Sequence, residues 1–406
     1  MSKVGGALPS WYWPAGIPRR VPVAQQPLGK ILRQRFTSFG DKPAVFSGSA
    51  TLTYSELLRE ILDTAGGIQA SAVKGAVALL DTDAVDNLVM VLAAIFAGRP
   101  VFLPDSLETA DHLTTQMAEA KVAAILTNDA ARAEFPGMSV VRPRDLKAQY
   151  NEAAGAKRGA EIAILLPSPR GIVTHSHFSL SAMAASMAAF IPKLREMTFI
   201  CMATAPGRWE TLSGILLALQ HGVPIVFGTA QSEATTNGPE AYTIVDREQA
   251  DAIVAAGRAP KFLSAATYVF VSTGFFDLRW RRKLERAFGK PIFPIWGLPE
   301  VGPVVAAHPT WLPPHGHGFP LVNVSLMPIE PVTGKMSIVP WEMLEQAEMG
   351  VETLSAMPGY VDASRSAAIK VGTSLRTGQI VSMDHVGVVI LQGASPSAVG
   401  GHLAGA

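Results

Sequence analysis

Two imidazoles stand two residues apart in Thr174-His175-Ser176-His177, directly ahead of an apolar stretch with helical texture. Such a pair can contribute to a metal site, serve as a base, or simply hold the start of a helix by hydrogen bonds. A metal would need further ligands, and the single cysteine of the chain rules out a thiolate cluster. That cysteine, Cys201, lies in Thr198-Phe-Ile-Cys-Met-Ala203. A nucleophilic thiol needs a polar, partly exposed setting, so the apolar run predicts a core residue instead. Upstream, Ile164-Leu-Leu-Pro-Ser-Pro-Arg-Gly-Ile-Val173 places a hydroxyl (Ser168) and a guanidinium (Arg170) beside Gly171. Prolines flank Ser168 and offer no N–H, which predicts a tight surface turn. Glu300 closes Trp296-Gly-Leu-Pro-Glu300, a carboxylate in a loop or at a helix start.

These groups need a scaffold, and the pattern of the chain supplies one. Gly75-Ala-Val-Ala-Leu-Leu80 reads as a buried strand, Asp81-Thr-Asp83 as the cap of a helix over 87–97, and Pro100-Val-Phe-Leu-Pro104 as the next strand. A helix over 112–120 and a strand over 123–127 follow. The alternation returns with strands over 163–166, 199–203, 223–227, 268–271 and 292–295, and helices over 178–190, 211–220 and 278–288. Such alternation builds a parallel sheet with helices on its faces. Beyond about 300 the texture changes to Gly, Pro and short β runs over 322–327, 336–339 and 386–391. The expectation is an α/β protein: an extended arm over 1–28, two α/β units over 29–300, a β-rich unit over 301–393 and a flexible tail over 394–406.

The chain has 406 residues, 48% of them hydrophobic and 17% charged, which describes a core-rich globular protein. With 34 basic and 33 acidic residues, nothing in the balance favours nucleic acid. No apolar run reaches the roughly 20 residues that span a bilayer, and no secretory signal is visible. A soluble, cytoplasmic protein is expected.

An ordered series of short motifs adds more. Ser10-Trp-Tyr-Trp-Pro-Ala-Gly-Ile-Pro18, Gly40-Asp-Lys-Pro-Ala-Val45 and Leu52-Thr-Tyr54 resemble the opening of fatty-acyl-CoA synthetases. Val269-Phe-Val-Ser-Thr-Gly274 and Phe288-Gly-Lys-Pro-Ile-Phe-Pro-Ile-Trp-Gly-Leu-Pro-Glu300 follow. Gly316-His-Gly-Phe-Pro320, Glu330-Pro-Val-Thr-Gly-Lys335, Pro358-Gly-Tyr360 and Leu375-Arg-Thr-Gly-Gln379 complete it. In order and spacing the series resembles the adenylate-forming (AMP-binding) superfamily over about residues 10 to 393. The resemblance implies the large N-terminal domain of an acyl-CoA synthetase, with two αβαβα-type units and a small β-rich one.

What the resemblance implies for chemistry is mixed. The family adenylates a carboxylate with ATP and Mg²⁺, and a thiol then captures the acyl-adenylate. Glu300 matches the family's catalytic, Mg²⁺-holding glutamate. Gly274, Trp296, Gly297, Leu298 and Gln379 match the nucleotide site, with Trp296 for a tyrosine and Gln379 for an aspartate that grips the ribose. Ser168, Arg170 and Gly171 are what is left of a Gly/Thr-rich phosphate loop, and Pro299 replaces a threonine that meets the α-phosphate. Trp209, in Pro206-Gly-Arg-Trp-Glu210, stands at the wall of the acyl pocket or in the core. The segment between Val245 and Tyr268 is shorter than in the family. The catalytic C-terminal domain expected from about residue 393 has no counterpart, and no lysine follows Lys370.

Three functions are then expected candidates. One is a pseudo-ligase that binds an acyl or aryl carboxylate, a nucleotide such as ATP or AMP, or a protein partner. The second is a split ligase completed by a separate C-terminal domain. The third is an ATP-independent reaction on a preformed acyl-adenylate or acyl-CoA, with His175 or His177 as candidate base. A partner or self-association is expected at the face where a C-terminal domain would dock.

Overall fold

The computed structural model describes residues 16–47, 50–71, 73–80, 83–104, 110–127, 138–146, 148–201, 207–227, 240–274, 277–313 and 315–395. Most of the expected N-terminal arm and all but the start of the expected tail lie outside these residues.

Three sheets organise the chain. The largest runs in the order Phe319–Pro320, Gly302–Ala306, Phe293–Leu298, Tyr268–Ser272, Ala241–Val245, Thr198–Cys201, Ile225–Phe227, Pro43–Ser47, Ala50–Thr53. Its six inner neighbours, from Phe293–Leu298 to Pro43–Ser47, are parallel, and antiparallel strands close both edges. The second sheet runs Gly359–Tyr360, Gly171–Ser176, Ile162–Ser168, Val101–Phe102, Ala76–Leu79, Val122–Leu126, Ser139–Val141. The third is antiparallel, built from Val324–Ile329, Ala347–Thr353, Ser374–Met383, Lys370–Val371 and Val389–Ala394. The α/β class expected from the alternation is the class observed.

Helices His177–Ala188 and Trp209–His221 bury most of their residues. The first touches strands of both large sheets, so it serves as a shared inner layer. Its small residues allow that approach, and Gly214 on the second helix is glycine for a related reason. A Cβ there would sit 2.3 Å from the Phe199 ring. One continuous apolar core runs from Leu28 through Phe199 and Trp296 to Leu391. Polar signals set the ends of other helices: Thr53 and Glu56 form a capping box on Tyr54–Ala70, and Asp83 accepts from Val85 and Asp86 N–H ahead of Ala84–Phe96.

Several expectations need adjustment. The run over 336–339 is no strand; only Met336 bridges, to Ile329. The change at 300 falls inside the largest sheet, whose strands continue to Pro320 before the third sheet begins at Val324. Periodicity also missed strand Ala241–Val245 and helix Arg247–Ala256. Residues 17–21 of the expected arm are tied down. Asn323 accepts from Val21 N–H at 3.0 Å and donates to Val21 O at 3.1 Å.

Candidate functional site

Strands Ile162–Ser168 and Gly171–Ser176 are antiparallel and pair up to Ser168 opposite Gly171, leaving Pro169 and Arg170 as a two-residue turn. The turn satisfies itself. Arg170 N–H donates to Ser168 Oγ at 3.2 Å, and Pro169 has no N–H to give. Gly171 has φ +129°, and a Cβ there would lie 2.3 Å from Arg365 Nη1. That same Nη1 donates to Arg170 O at 2.9 Å and to Glu119 Oε1 at 3.1 Å, covering the outside of the turn. The Arg170 guanidinium reaches across to the third sheet and donates to Arg376 O at 2.9 Å and Thr377 O at 2.5 Å.

Glu300 lies in the turn between Phe293–Leu298 and Gly302–Ala306 and is buried. Its Oε1 accepts from Tyr360 O–H at 2.7 Å. Ser168 Oγ stands 3.1 Å from the same oxygen and 3.0 Å from Gly171 O, and its one proton serves either. Burial, with Glu300 alongside, drives the Tyr360 phenol well above its ordinary range, so it stays a donor. The Glu300 turn is fastened by Met357 N–H on Glu300 O at 2.8 Å and by Ser355 Oγ on Val301 O at 2.7 Å.

His175 is wholly buried. Its Nε2 donates to Pro299 O at 2.6 Å, which leaves Nδ1 to meet Ser179 Oγ at 3.2 Å. Burial holds it neutral, against the raising effects of the Pro299 bond and Glu300. His177, the first residue of its helix, is buried and pushed down to about 4 by burial, with Glu161 opposing. Its Nδ1 is buried without a hydrogen bond among the described residues. Among those residues no group of three or more His, Cys, Asp or Glu could hold a metal ion.

At the other end of the expected site, Gly274 ends the Tyr268–Ser272 segment, and its carbonyl accepts from His317 Nε2 at 2.6 Å. His317 is buried and held down to about 4 by burial, opposed by that bond. Trp296 is buried in the common core. Gly297 leaves no room for a side chain, since a Cβ would lie 2.3 Å from Gly302 O; Leu298 is partly buried. Gln379 sits on strand Ser374–Met383, partly exposed, with its N–H on Thr377 Oγ1 at 3.1 Å. Trp209 begins its helix and is buried in the core; Pro206 of its motif lies outside the described residues. Between this helix and Ala84–Phe96, residues such as Leu88, Val91, Leu212 and Ile215 line an apolar pocket of about 20 Å³, about one water's worth.

The structure thus gathers Ser168, Arg170, Gly171, His175 and Glu300 at one junction, with Gln379 farther along the strand that holds the Arg170 contacts. Sequence reasoning missed Tyr360 as the partner of Glu300, although Pro358-Gly-Tyr360 was among the motifs. It also missed Glu348, a buried carboxylate gripped by Arg376 at 3.0 and 2.6 Å, Ser395 at 2.9 Å and Gly378 N–H at 3.3 Å. Glu210 was missed too: its enclosed carboxyl accepts from Ser272 Oγ at 2.7 Å and is raised by burial to about 7.

The order of the strands and the helix shared between the two large sheets decide the architecture. The fold is that of the large N-terminal domain of adenylate-forming enzymes. O-succinylbenzoate coenzyme A synthetase (MenE) from Bacillus subtilis matches over 91% of this chain and 79% of its own, with TM-score 0.76 and 17% identity. MatB from Rhodopseudomonas palustris, in an ATP-bound structure, matches over 90% and 78%, with TM-score 0.75 and 16% identity. The nonribosomal peptide synthetase FmoA3 matches over 96% of this chain and 44% of its own, with TM-score 0.77 and 15% identity. MenE structures contain AMP, ATP with magnesium, or the acyl-adenylate intermediate. No family model and no curated protein sequence matches the chain. No helix among the described residues is long and apolar enough to cross a membrane.

An adenylate-forming fold invites a test of fit for magnesium and a triphosphate. The groups a triphosphate and its metal would meet have partners in this chain: Arg170 N–H donates to Ser168, the guanidinium donates to carbonyls, and Glu300 Oε1 accepts from Tyr360. As arranged, the turn offers a phosphate neither Arg170 N–H nor the Arg170 guanidinium.

Proposed function

We propose that this chain is an acyl-CoA-synthetase-like protein whose ATP-dependent carboxylate adenylation is lost or strongly impaired, and which works by binding a ligand or a partner. The observation that carries the reading is the junction at Glu300. Phosphoryl transfer needs free backbone amides, hydroxyls and a metal-ready carboxylate aimed at the triphosphate. Here Arg170 N–H donates to Ser168 Oγ, Ser168 Oγ faces Gly171 O and Glu300 Oε1, and that same oxygen accepts from Tyr360. For the third candidate, both ring nitrogens of His175 are engaged and buried, which leaves His177 as its base.

The test is calorimetric titration with Mg-ATP and then with AMP, followed by a pyrophosphate-exchange screen over acyl and aryl carboxylates. The expected result is no Mg-ATP binding at millimolar concentration and no exchange with any acid. Carboxylate-dependent exchange by the chain, alone or with a separately added C-terminal domain, would sink the reading and establish a working ligase.

A further inference from the structure

Helix Leu278–Phe288 carries a charge pattern that the site does not use. Its inward residues Trp280, Leu284 and Phe288 are buried with Ile253, Leu263, Val269 and Ile292. Arg279, Arg282, Lys283 and Arg286 are exposed, and at 3.6 residues per turn they fall within an arc of about 100° on the opposite side. The patch continues beyond the helix. Ala259 N–H donates to Ala287 O at 2.9 Å, which brings the exposed Arg258 and Lys261 beside the helix end.

The nearby acids are committed elsewhere. Glu285 binds Arg281 at 2.8 Å, Asp251 binds Arg247 and Trp280, and Asp277 caps the helix through Arg279 N–H. Among the described residues, none of the six outward cations forms an ion pair. The chain as a whole has 34 basic and 33 acidic residues, so this surplus is a local arrangement and not a matter of composition. A merely solvated helix face gains most from alternating signs. Four like charges on one helix face, with two more beside its end, repel each other and draw a surface of opposite sign.

Exposure narrows the partner. Among the described residues of this helix, Trp280 and Phe288 are buried beneath the face, so neither ring is offered for base stacking. Leu278, at the start of the helix, is 47% exposed at the rim of the patch. Cations along one side of a helix with an apolar residue at the edge suit a plane of anionic headgroups. We propose that this face docks the chain on an anionic lipid bilayer, with its arginines and lysines among the headgroups and Leu278 at the interface.

The experiment is co-sedimentation of the full chain with phosphatidylcholine vesicles, with or without about one-third phosphatidylserine, at low and physiological salt. The expected result is binding only to the anionic vesicles, weakened by salt. The variant R279E/R282E/K283E should bind at least about tenfold more weakly. K30E/K74E/K335E, which changes net charge equally at exposed positions, should bind like the parent. If the reversal variant fails to show the parent's thermal transition, R279Q/R282Q/K283Q replaces it with the same expectation. No binding to anionic vesicles at low salt, or equal losses in both triple variants, would overturn the proposal. Retention on polyglutamate resin without vesicle binding would overturn it too, in favour of an acidic protein.

Discussion

Glu348 and Glu210 are both enclosed carboxyls, and their surroundings push them in opposite directions. At Glu348, burial alone would raise the acid, but Arg376, Ser395 and Gly378 N–H outweigh it and hold the carboxyl below its ordinary value. Its stabilising contribution is therefore present at neutral pH and lost as the pH falls below about 4.5. Arg376→Ala strands a buried charge and should cost about 3–5 kcal/mol at pH 7. Urea denaturation should show that loss shrinking towards pH 4. Glu210 has no comparable partner, and burial raises it to about 7. Folding then favours its protonated form, so its cost to stability grows as the pH climbs from 4.5 to about 7 and levels off above that. Glu210→Gln should stabilise the fold at pH 8 by up to about 3 kcal/mol, with the gain vanishing near pH 4. Equal melting temperatures of parent and variant at pH 8 would refute this.

The turn at Pro169-Arg170 shows what one element imposes on its surroundings. Gly171 combines φ +129° with Arg365 where a Cβ would go. Gly171→Ala should cost roughly 1–3 kcal/mol from backbone strain, before any displacement of Arg365. Denaturant midpoints would measure it, and an unchanged midpoint would mean the turn rearranges freely. This element was partly legible in the chain: two prolines around Ser168 announced a tight turn. Its closure was not, because the partners Glu119, Glu300, Tyr360, Arg365 and Arg376 stand far from it in sequence. Helix Arg247–Ala256 escaped notice for a local reason: it buries only Ala250 and Ile253, too weak an apolar stripe to read.

At the scale of the whole molecule, alternation of strand and helix was enough to reveal the α/β class, since parallel strands buried on both faces leave uninterrupted apolar runs. Near 300, Gly302–Ala306 and Phe319–Pro320 return antiparallel to the edge of the largest sheet through glycine- and proline-rich sequence. Texture changes there, but the sheet does not end. Attachment of residues 17–21 through Asn323 depends on a pairing across 302 positions, which no local pattern encodes.

The interlocked groups around Glu300 also bear on how this sequence can change over generations. Ser168, Arg170, Tyr360 and Arg365 each satisfy a neighbour as well as themselves. A substitution at any one of them takes a hydrogen-bond partner from another, and neighbours in contact do not contribute additively. Opening a phosphate cradle here takes several concerted replacements, and each single step along the way passes through a less stable chain. Selection for stability alone therefore holds the junction shut.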